Sequence, residues 1–155
     1  MTTTQERHEA RTSAPVAGWR VIFDKLELIG AIIGAVLCAL QVAFAAYGFW
    51  IVATGAGGEA AGREAFGMHV MNGTVLSYLA VALLICGLLA RAGWKGWVIP
   101  LVIAVLLFAV QGPLVGLGFG VSPWFGALHA FDGMIVTAGF VWLLVDRAAH
   151  PLHAR

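Results

Sequence analysis

Two histidines set in long apolar segments are the residues of this sequence best suited to chemistry. His69 and His129 lie where polar side chains are costly in lipid and therefore commonly serve a function. Two neutral imidazoles that face each other across an apolar slot suit a low-spin haem iron, which needs one ligand on each side of the porphyrin plane. The pair predicts a haem b site, and the same two histidines are the expected ligands of a metal site without haem.

Each histidine is followed at the third position by a side chain that could orient it. Asn72 and Asp132 lie three residues after His69 and His129, on nearly the same helix face. An ionised Asp132 inside a membrane would cost about 2.5 to 3.5 kcal/mol, so protonation, a hydrogen bond or a nearby cation is expected there. A zinc or copper site built from these four side chains is an alternative to haem.

Four glycines are predicted to make room for a porphyrin. Gly73 and Gly133 lie four residues after the two histidines and therefore on the same helix faces. Gly48 and Gly118 fall at about the histidine level on the neighbouring spans, where the absence of a side chain would let the porphyrin edges approach the backbone. The other interpretation of these glycines is close packing of membrane helices.

Further polar residues complete the candidate site. Gln41 and Gln111 lie nearer the middle of the membrane and are interpreted first as interhelical hydrogen-bonding residues, with quinone binding as the sharper hypothesis. Pro113 is expected to kink its helix and to free a carbonyl group near the site. Arg63 is predicted to meet the haem propionates as a charge-assisted pair, or else to pair with a neighbouring glutamate.

The elements that must position these residues are four membrane-spanning helices. Hydrophobic residues make up 61% of the 155 residues and charged residues only 11%, with a mean hydropathy of +0.90, whereas soluble domains carry about 25% charged residues. A hydrocarbon layer requires roughly 20 apolar residues per helix. Four such runs occur within one membrane domain at 21–147, at residues 26–52, 66–90, 96–119 and 122–145. The expected fold is an all-α integral membrane bundle of four transmembrane helices.

The basic residues predict the orientation of the chain. If the chain zigzags through the membrane, Arg63 alone falls on one side, and cytoplasmic loops are the ones that carry an excess of basic residues. Both termini are therefore expected in the cytoplasm, as a disordered tail at 1–20 and a short tail at 148–155, with the multi-pass chain in the inner (plasma) membrane. Because the basic residues are spread along the span ends, no nucleic-acid partner is expected. The basic residues on the side opposite Arg63 are Arg7, Arg11, Arg20, Lys25, Arg91, Lys95, Arg147 and Arg155.

The second half of the sequence repeats the first. The segment His-Val-Met-Asn-Gly from His69 recurs as His-Ala-Phe-Asp-Gly from His129, and Gln41 recurs as Gln111. Apolar chains produce short similarities by chance, but polar residues in register are less expected by accident. The chain is therefore predicted to consist of two tandem hairpins related by a rotation about the membrane normal. Spans 2 and 4 are then diagonal, which would bring the two histidines to the central axis at one depth.

The histidine pattern resembles two groups of membrane proteins. Cytochrome b561-like bundles hold haem between histidines on alternate helices, and they typically stack a second haem on a second histidine lower on each helix, which spans 2 and 4 lack here. Over most of its length the chain also resembles small bacterial four-helix membrane proteins with Gln-x-x-x-Ala-x-x-Gly-like and His-x-x-x-Gly motifs. Ala45 fits that pattern, whereas Val115 replaces it in the second half. The second resemblance implies no known activity.

Together these features predict a single b-type haem near the outer face, serving as a one-electron relay or a haem-handling site. Two alternatives stay open: a transporter or accessory protein that handles a metal ion or protons without haem, and a non-catalytic membrane scaffold. The lipid bilayer is one expected partner, and a quinone, a redox partner and a second copy of the chain are further candidates. The short loops contain no recognisable hydrolase, kinase or nucleotide motif.

Overall fold

Helices form nearly all of the fold, as seen in a computed structural model that describes residues 16–56 and 58–152, apart from the side chains of Glu59 and Arg63. The remainder of the two predicted tails lies outside the described residues. In chain order the helices are α1 (Gly18–Thr54), α2 (Gly58–Ala65), α3 (Gly67–Ala90), α4 (Trp94–Gly120) and α5 (Pro123–Ala149).

The prediction of an all-α bundle with four membrane spans is confirmed. Helices α1, α3, α4 and α5 are each long and apolar enough to cross a membrane, and large apolar side chains such as Ile33, Val42 and Val105 are exposed on their outer faces, as lipid contact requires. The helices extend past the predicted runs, to Gly18 in α1 and to Ala149 in α5. The predicted runs ended where charged residues appear, because only apolar residues were counted. The helices themselves continue past these residues, since helical backbone hydrogen bonds do not require an apolar sequence.

The four long helices form a square bundle. Helices that follow each other in the chain are adjacent in the square, and the last helix, α5, packs against the first, α1. Helix α1 packs against α3 and α5, and α4 packs against the same two helices. Within the described part of the chain, the diagonal pairs α1–α4 and α3–α5 make no close backbone contact. The two histidine-bearing spans are therefore diagonal, as the sequence repeat predicted.

The two ends of the bundle differ in their connections. We call the end with Gly18, the α3–α4 turn and Ala149 the terminal end, and the end with Thr54, α2 and the α4–α5 turn the distal end. At the terminal end Arg91 caps α3 in the left-handed conformation, with φ of 50°, and Gly93 follows with φ of 86°. At the distal end Ser122 caps α5 by accepting a hydrogen bond from the Trp124 backbone N–H at 3.4 Å.

The apolar core fills the middle and the terminal part of the bundle. Its buried residues begin at the level of Leu76 in α3 and Val136 in α5 and continue towards the terminal end through Leu83, Phe140 and Leu143. Small residues let the helices approach there, since a Cβ at Gly34 in α1 would overlap the Phe140 ring and one at Gly87 would overlap the backbone carbonyl of Gly96. Side chains of the chain itself therefore close this part of the bundle.

Alanine substitutions at two glycines test this packing. We expect Gly34→Ala to lower the free energy of unfolding by about 1 to 3 kcal/mol, because its Cβ overlaps a ring that is fully buried. Gly116→Ala is the matched control, since its Cβ would meet nothing within 4 Å, and the better helix propensity of alanine leaves it neutral or slightly stabilising. Denaturant titration of detergent-solubilised protein measures both. Equal stability of the two variants would contradict the packing described above.

The distal half of the bundle lacks such a core. None of the described residues of Leu106–Gly120 in α4 is buried, and in the distal part of α5 the one residue recorded as buried before Val136 is Asp132. Side chains on the inward faces, among them Phe44, Leu114 and Phe125, are only half-buried. The apolar side chains of the distal half are therefore less buried than those of the terminal half.

Helix α4 changes its winding beside the candidate site. Residues Leu106–Gln111 form a π-helical segment, and Gly112–Gly120 continue as α-helix with Pro113 in its first turn. Proline has no N–H to donate to the preceding turn, and π-helical segments are a usual accommodation inside a long helix. A kink was predicted at Pro113. The structure has a π-helical segment just before this proline, which ends at Gln111.

Candidate functional site

The two histidines face each other across the axis of the bundle. His69 on α3 and His129 on α5 have ring centres 6.1 Å apart, with an angle of 57° between the ring planes. Both residues are half-buried, and the Phe66 ring packs edge-on against His69 with ring centres 6.3 Å apart. Since α3 and α5 are diagonal and make no close backbone contact in the described chain, the two side chains bridge the space between them.

Each imidazole is held by a backbone carbonyl of the other helix in its own hairpin. His69 Nδ1 lies 3.2 Å from the carbonyl oxygen of Gln41, and His129 Nδ1 lies 3.3 Å from that of Gln111. A carbonyl oxygen can only accept a hydrogen bond, so Nδ1 carries the proton in both rings. In a neutral imidazole the lone pair then lies on Nε2. In both hairpins Nε2 is therefore the ring nitrogen that can accept a hydrogen bond or bind a metal ion.

The glutamine side chains bind the same histidine residues from the neighbouring helix. Gln41 Nε2 donates to the backbone carbonyl of His69 at 3.0 Å, and Gln111 Nε2 donates to that of His129 at 3.4 Å. Gln41 Nε2 also lies 3.2 Å from His69 Nε2, a contact that a metal ion on this nitrogen would replace. These bonds tie α1 to α3 and α4 to α5 at the level of the rings, so the predicted interhelical role of the glutamines matches their contacts.

The residues three positions after the histidines, Asn72 and Asp132, bind the two glutamines in opposite hydrogen-bond directions. Asn72 Nδ2 donates to Gln41 Oε1 at 2.5 Å and to the backbone carbonyl of Leu37 at 2.9 Å. In the second hairpin the direction is reversed, because Gln111 Nε2 donates to Asp132 Oδ2 at 2.6 Å. Asp132 is thus hydrogen-bonded, one of the three conditions expected for an acid in this position.

These contacts define two equivalent units, which we call the Gln–His modules. The first consists of Gln41, His69 and Asn72, and the second of Gln111, His129 and Asp132. The sequence repeat is therefore also a repeat of hydrogen bonds. It extends to the next helical turn, where the Ser77 hydroxyl donates to the carbonyl of Gly73 at 2.9 Å and the Thr137 hydroxyl donates to that of Gly133 at 2.8 Å.

The four glycines of the predicted site lie within the hairpins. A Cβ at Gly73 would lie 3.2 Å from Gln41 Nε2, so this glycine gives the Gln41 amide room to reach His69. A Cβ at Gly133 would lie 3.8 Å from Gln111 Nε2, which is an ordinary contact.

Gly48 and Gly118 lie where elements pack closely. A Cβ at Gly48 would lie 2.8 Å from the Phe66 ring, and one at Gly118 would lie 3.1 Å from the backbone nitrogen of Gly126 in α5. The Arg63 side chain lies outside the described part of the structure, so its predicted contact with propionates stays a prediction.

The donor set fits haem better than it fits a bare metal ion. Two imidazoles bound at about 2 Å to one metal ion place their ring centres about 6 Å apart, which matches the 6.1 Å between His69 and His129. Among the described residues no group of three or more His, Cys, Asp or Glu side chains could hold a metal ion. Two protein ligands leave a tetrahedral zinc site incomplete, whereas they are the full axial set for a haem iron, whose other four ligands come from the porphyrin.

The surroundings of the pair also suit a large apolar group. Phe44 and Leu114 each lie three residues after a module glutamine, and Phe125 lies four residues before His129, so all three share a face with the modules. They are half-buried and do not belong to the hydrophobic core. A porphyrin held between the histidines would have these side chains as apolar neighbours.

A cluster of buried charges at the terminal end was missed by the sequence analysis. Asp24, Glu27, Asp146 and Arg147 are all buried, and Arg147 lies among the three acids. In the sequence Arg147 served only to predict the orientation of the chain, because Asp24, Asp146 and Arg147 lie just outside the predicted spans and Glu27 lies at the start of the first. The signal available was the spacing of Asp24 and Glu27, one helical turn apart on the face that also carries Gly30 and Gly34.

The architecture consists of four apolar helices with facing histidines on the second and fourth spans, and four-helix bundles host many functions. Comparison of the chain with protein-family models, with curated proteins and with solved structures gives no match.

Proposed function

We propose that the chain binds one haem b between His69 and His129 and serves as a one-electron relay or haem-handling protein of the membrane. The observation that carries the proposal is the facing pair, with ring centres 6.1 Å apart, in which both Nδ1 atoms lie within 3.3 Å of helix carbonyls. Nε2 is then the nitrogen without a proton in each ring, and at His69 a metal ion would replace its contact with Gln41 Nε2. A bis-histidine iron requires this tautomer, because only the nitrogen without a proton can bind the metal.

Different residues would bind the iron of such a site and position its ligands. His69 and His129 hold the iron, and the module glutamines fix the height and direction of each ring through the backbone of the neighbouring helix. Hydrogen bonding at Nδ1 increases the basicity of Nε2 and so strengthens its bond to the iron. When bound, haem supplies reversible one-electron exchange at its iron.

The position of the modules favours exchange of electrons at one membrane surface. Both modules lie in the distal half of the bundle, and the chain offers one pair of facing histidines in its described part. With the termini in the cytoplasm, as the basic residues favour, the haem lies near the outer face. A quinone or a redox protein would then be the electron donor or acceptor, approaching from that side.

An absorption spectrum of the purified protein tests the proposal. Protein produced in cells supplied with a haem precursor and purified in mild detergent is expected to show a Soret band, a b-type α-band on reduction and one haem per chain. Protein prepared without haem should gain the same spectrum when haemin is added. A chain that stays colourless in both preparations would overturn the proposal. If that colourless protein bound zinc or copper in proportion to the chain, the metal-ion alternative would take its place.

A further inference from the structure

The buried charges at the terminal end are centred on Arg147. Its Nη1 donates to the backbone carbonyl of Ala92 at 3.2 Å and to Asp24 Oδ1 at 3.5 Å, and its Nη2 donates to Asp146 Oδ2. The Arg147 side chain is only 2% exposed. A guanidinium in this environment requires negative partners, and two of the three acids provide them.

The carboxylates of Asp24 and Asp146 are each satisfied by further donors. Asp24 Oδ2 accepts from the backbone N–H of Leu152 at 3.0 Å, and Asp146 Oδ1 lies 3.4 Å from Lys95 Nζ. Each of these acids therefore has a cation and at least one hydrogen bond beyond the one to Arg147. Both buried carboxyl groups are therefore compensated by positive charge and by hydrogen-bond donors.

Glu27 lies in the same cluster without such partners. It is 0% exposed, and neither Oε1 nor Oε2 has a hydrogen bond. Arg147 Nη1 is 3.9 Å from Oε2, beyond hydrogen-bonding distance, and is already bonded to Asp24 and Ala92. The other neighbours of the carboxyl are the glycines at the α3–α4 contact, since a Cβ at Gly87 would lie 3.1 Å from Oε1.

The charge balance of the cluster leaves one negative charge too many. Asp24, Asp146 and Glu27 would carry three negative charges if all were ionised, against the two positive charges of Arg147 and Lys95. A buried carboxylate without hydrogen bonds costs several kcal/mol, so the group takes up a proton instead. One proton on Glu27 neutralises the cluster and removes that cost.

We propose that Glu27 is a proton-binding site at the terminal end of the bundle, which holds its proton at neutral pH and exchanges it with the surface through the Asp146–Arg147 pair. A pocket of about 200 Å³ opens beside that pair and is lined by Lys95, Asp146, Arg147 and His150 among others. Glu27 itself is 0% exposed and lies 3.9 Å from Arg147 Nη1, so a proton reaches it through neighbouring groups rather than directly from solvent.

Every helix packed around Glu27 contributes groups that set its proton affinity. On α1 these groups are Asp24 and Arg20, whose Nε donates to the carbonyl of Ala90 at 2.9 Å. Helix α3 brings the Cys86 thiol, which lies within electrostatic range of Glu27. The remaining groups, on α4 and α5, are Lys95, Asp146, Arg147 and His150.

Infrared spectroscopy of the full chain without haem tests the proposal directly. A protonated carboxyl has a C=O stretch that a carboxylate lacks. We expect that stretch in the wild type at pH 7, its decrease at alkaline pH and its reduction in Glu27→Gln. Asp132→Asn is the matched control, because Asp132 is a buried acid in another membrane span. The part of the C=O band that disappears in Glu27→Gln must still be present in Asp132→Asn. An unchanged band in Glu27→Gln would overturn the proposal.

Thermal stability supplies a second, independent measurement. Glutamine has the shape and charge of a protonated glutamate, so Glu27→Gln is expected to fold and to match the wild type below about pH 4. A glutamate in the unfolded chain releases its proton at about pH 4 to 5, while the buried Glu27 of the folded chain keeps its proton to higher pH, so rising pH above about 4 destabilises the wild type relative to the variant. Failure of Glu27→Gln to fold, or identical pH profiles, would contradict a proton on Glu27. Neither readout involves haem, so this test is separate from that of the proposed function.

Discussion

His69→Ala and His129→Ala are each expected to remove the low-spin haem spectrum and to lower the bound haem per chain by about 10- to 100-fold. One imidazole cannot saturate both axial positions, and alanine at either residue leaves its Nδ1-bonding carbonyl on Gln41 or Gln111 without the ring that it positions. Pyridine haemochrome assay gives the haem content, and electron paramagnetic resonance of the oxidised protein gives the spin state.

Two further variants make this test specific. His150→Ala is the matched control, because His150 lies beyond the other end of α5, about 30 Å from His129 along the helix direction, and contacts Asp146 rather than the modules. It should retain a full complement of haem. His129→Met replaces one imidazole by a thioether that can also bind haem iron, so it should retain haem with a raised reduction potential. Full haem binding by both alanine variants would show that the iron is held elsewhere.

Arg147→Met is expected to lower the free energy of unfolding by about 3 to 5 kcal/mol. The substitution keeps much of the apolar stem but leaves Asp24 and Asp146 as buried carboxylates whose common cation is gone. Removal of one partner from a buried ionic cluster costs more than the cluster contributes as a whole. Unfolding by titration with a denaturing detergent, followed by circular dichroism, measures the loss.

Controls separate the buried cluster from the general effect of removing a positive charge. Lys25→Met removes an exposed cation one residue after Asp24 and should change stability little. Adding Asp24→Asn and Asp146→Asn to Arg147→Met should recover part of the loss, because the acids that needed Arg147 are then neutral. Equal effects of Arg147→Met and Lys25→Met would show that burial of Arg147 contributes nothing.

The bundle and the position of the histidine pair could be predicted from residue types and their repetition. Four long apolar runs allow little else than membrane helices, and the recurrence of Gln41 and His69 as Gln111 and His129 requires equivalent positions in two hairpins. Diagonal placement of α3 and α5 then follows from short connections. The contact of the two rings is the geometric consequence of that placement.

Details that depend on backbone direction and on packing at the helix ends could not be predicted in this way. The bonds from each Nδ1 to a glutamine carbonyl depend on helix rotation and height, which residue spacing does not determine. The short helix α2 has a polar, glycine-rich sequence that is equally compatible with a loop. Glu27 and Arg147 are 120 positions apart, and nothing in either local sequence indicates that they meet.

The uneven core of the bundle has a consequence for how the molecule is assembled. Helices that are closed by Phe140, Leu83 and Leu143 in one half hold their arrangement without help, while the other half has two polar modules and little packing between hairpins. The terminal half can therefore form before any ligand is bound. If the proposed haem binds, its binding energy would stabilise the contact between the two hairpins in the distal half.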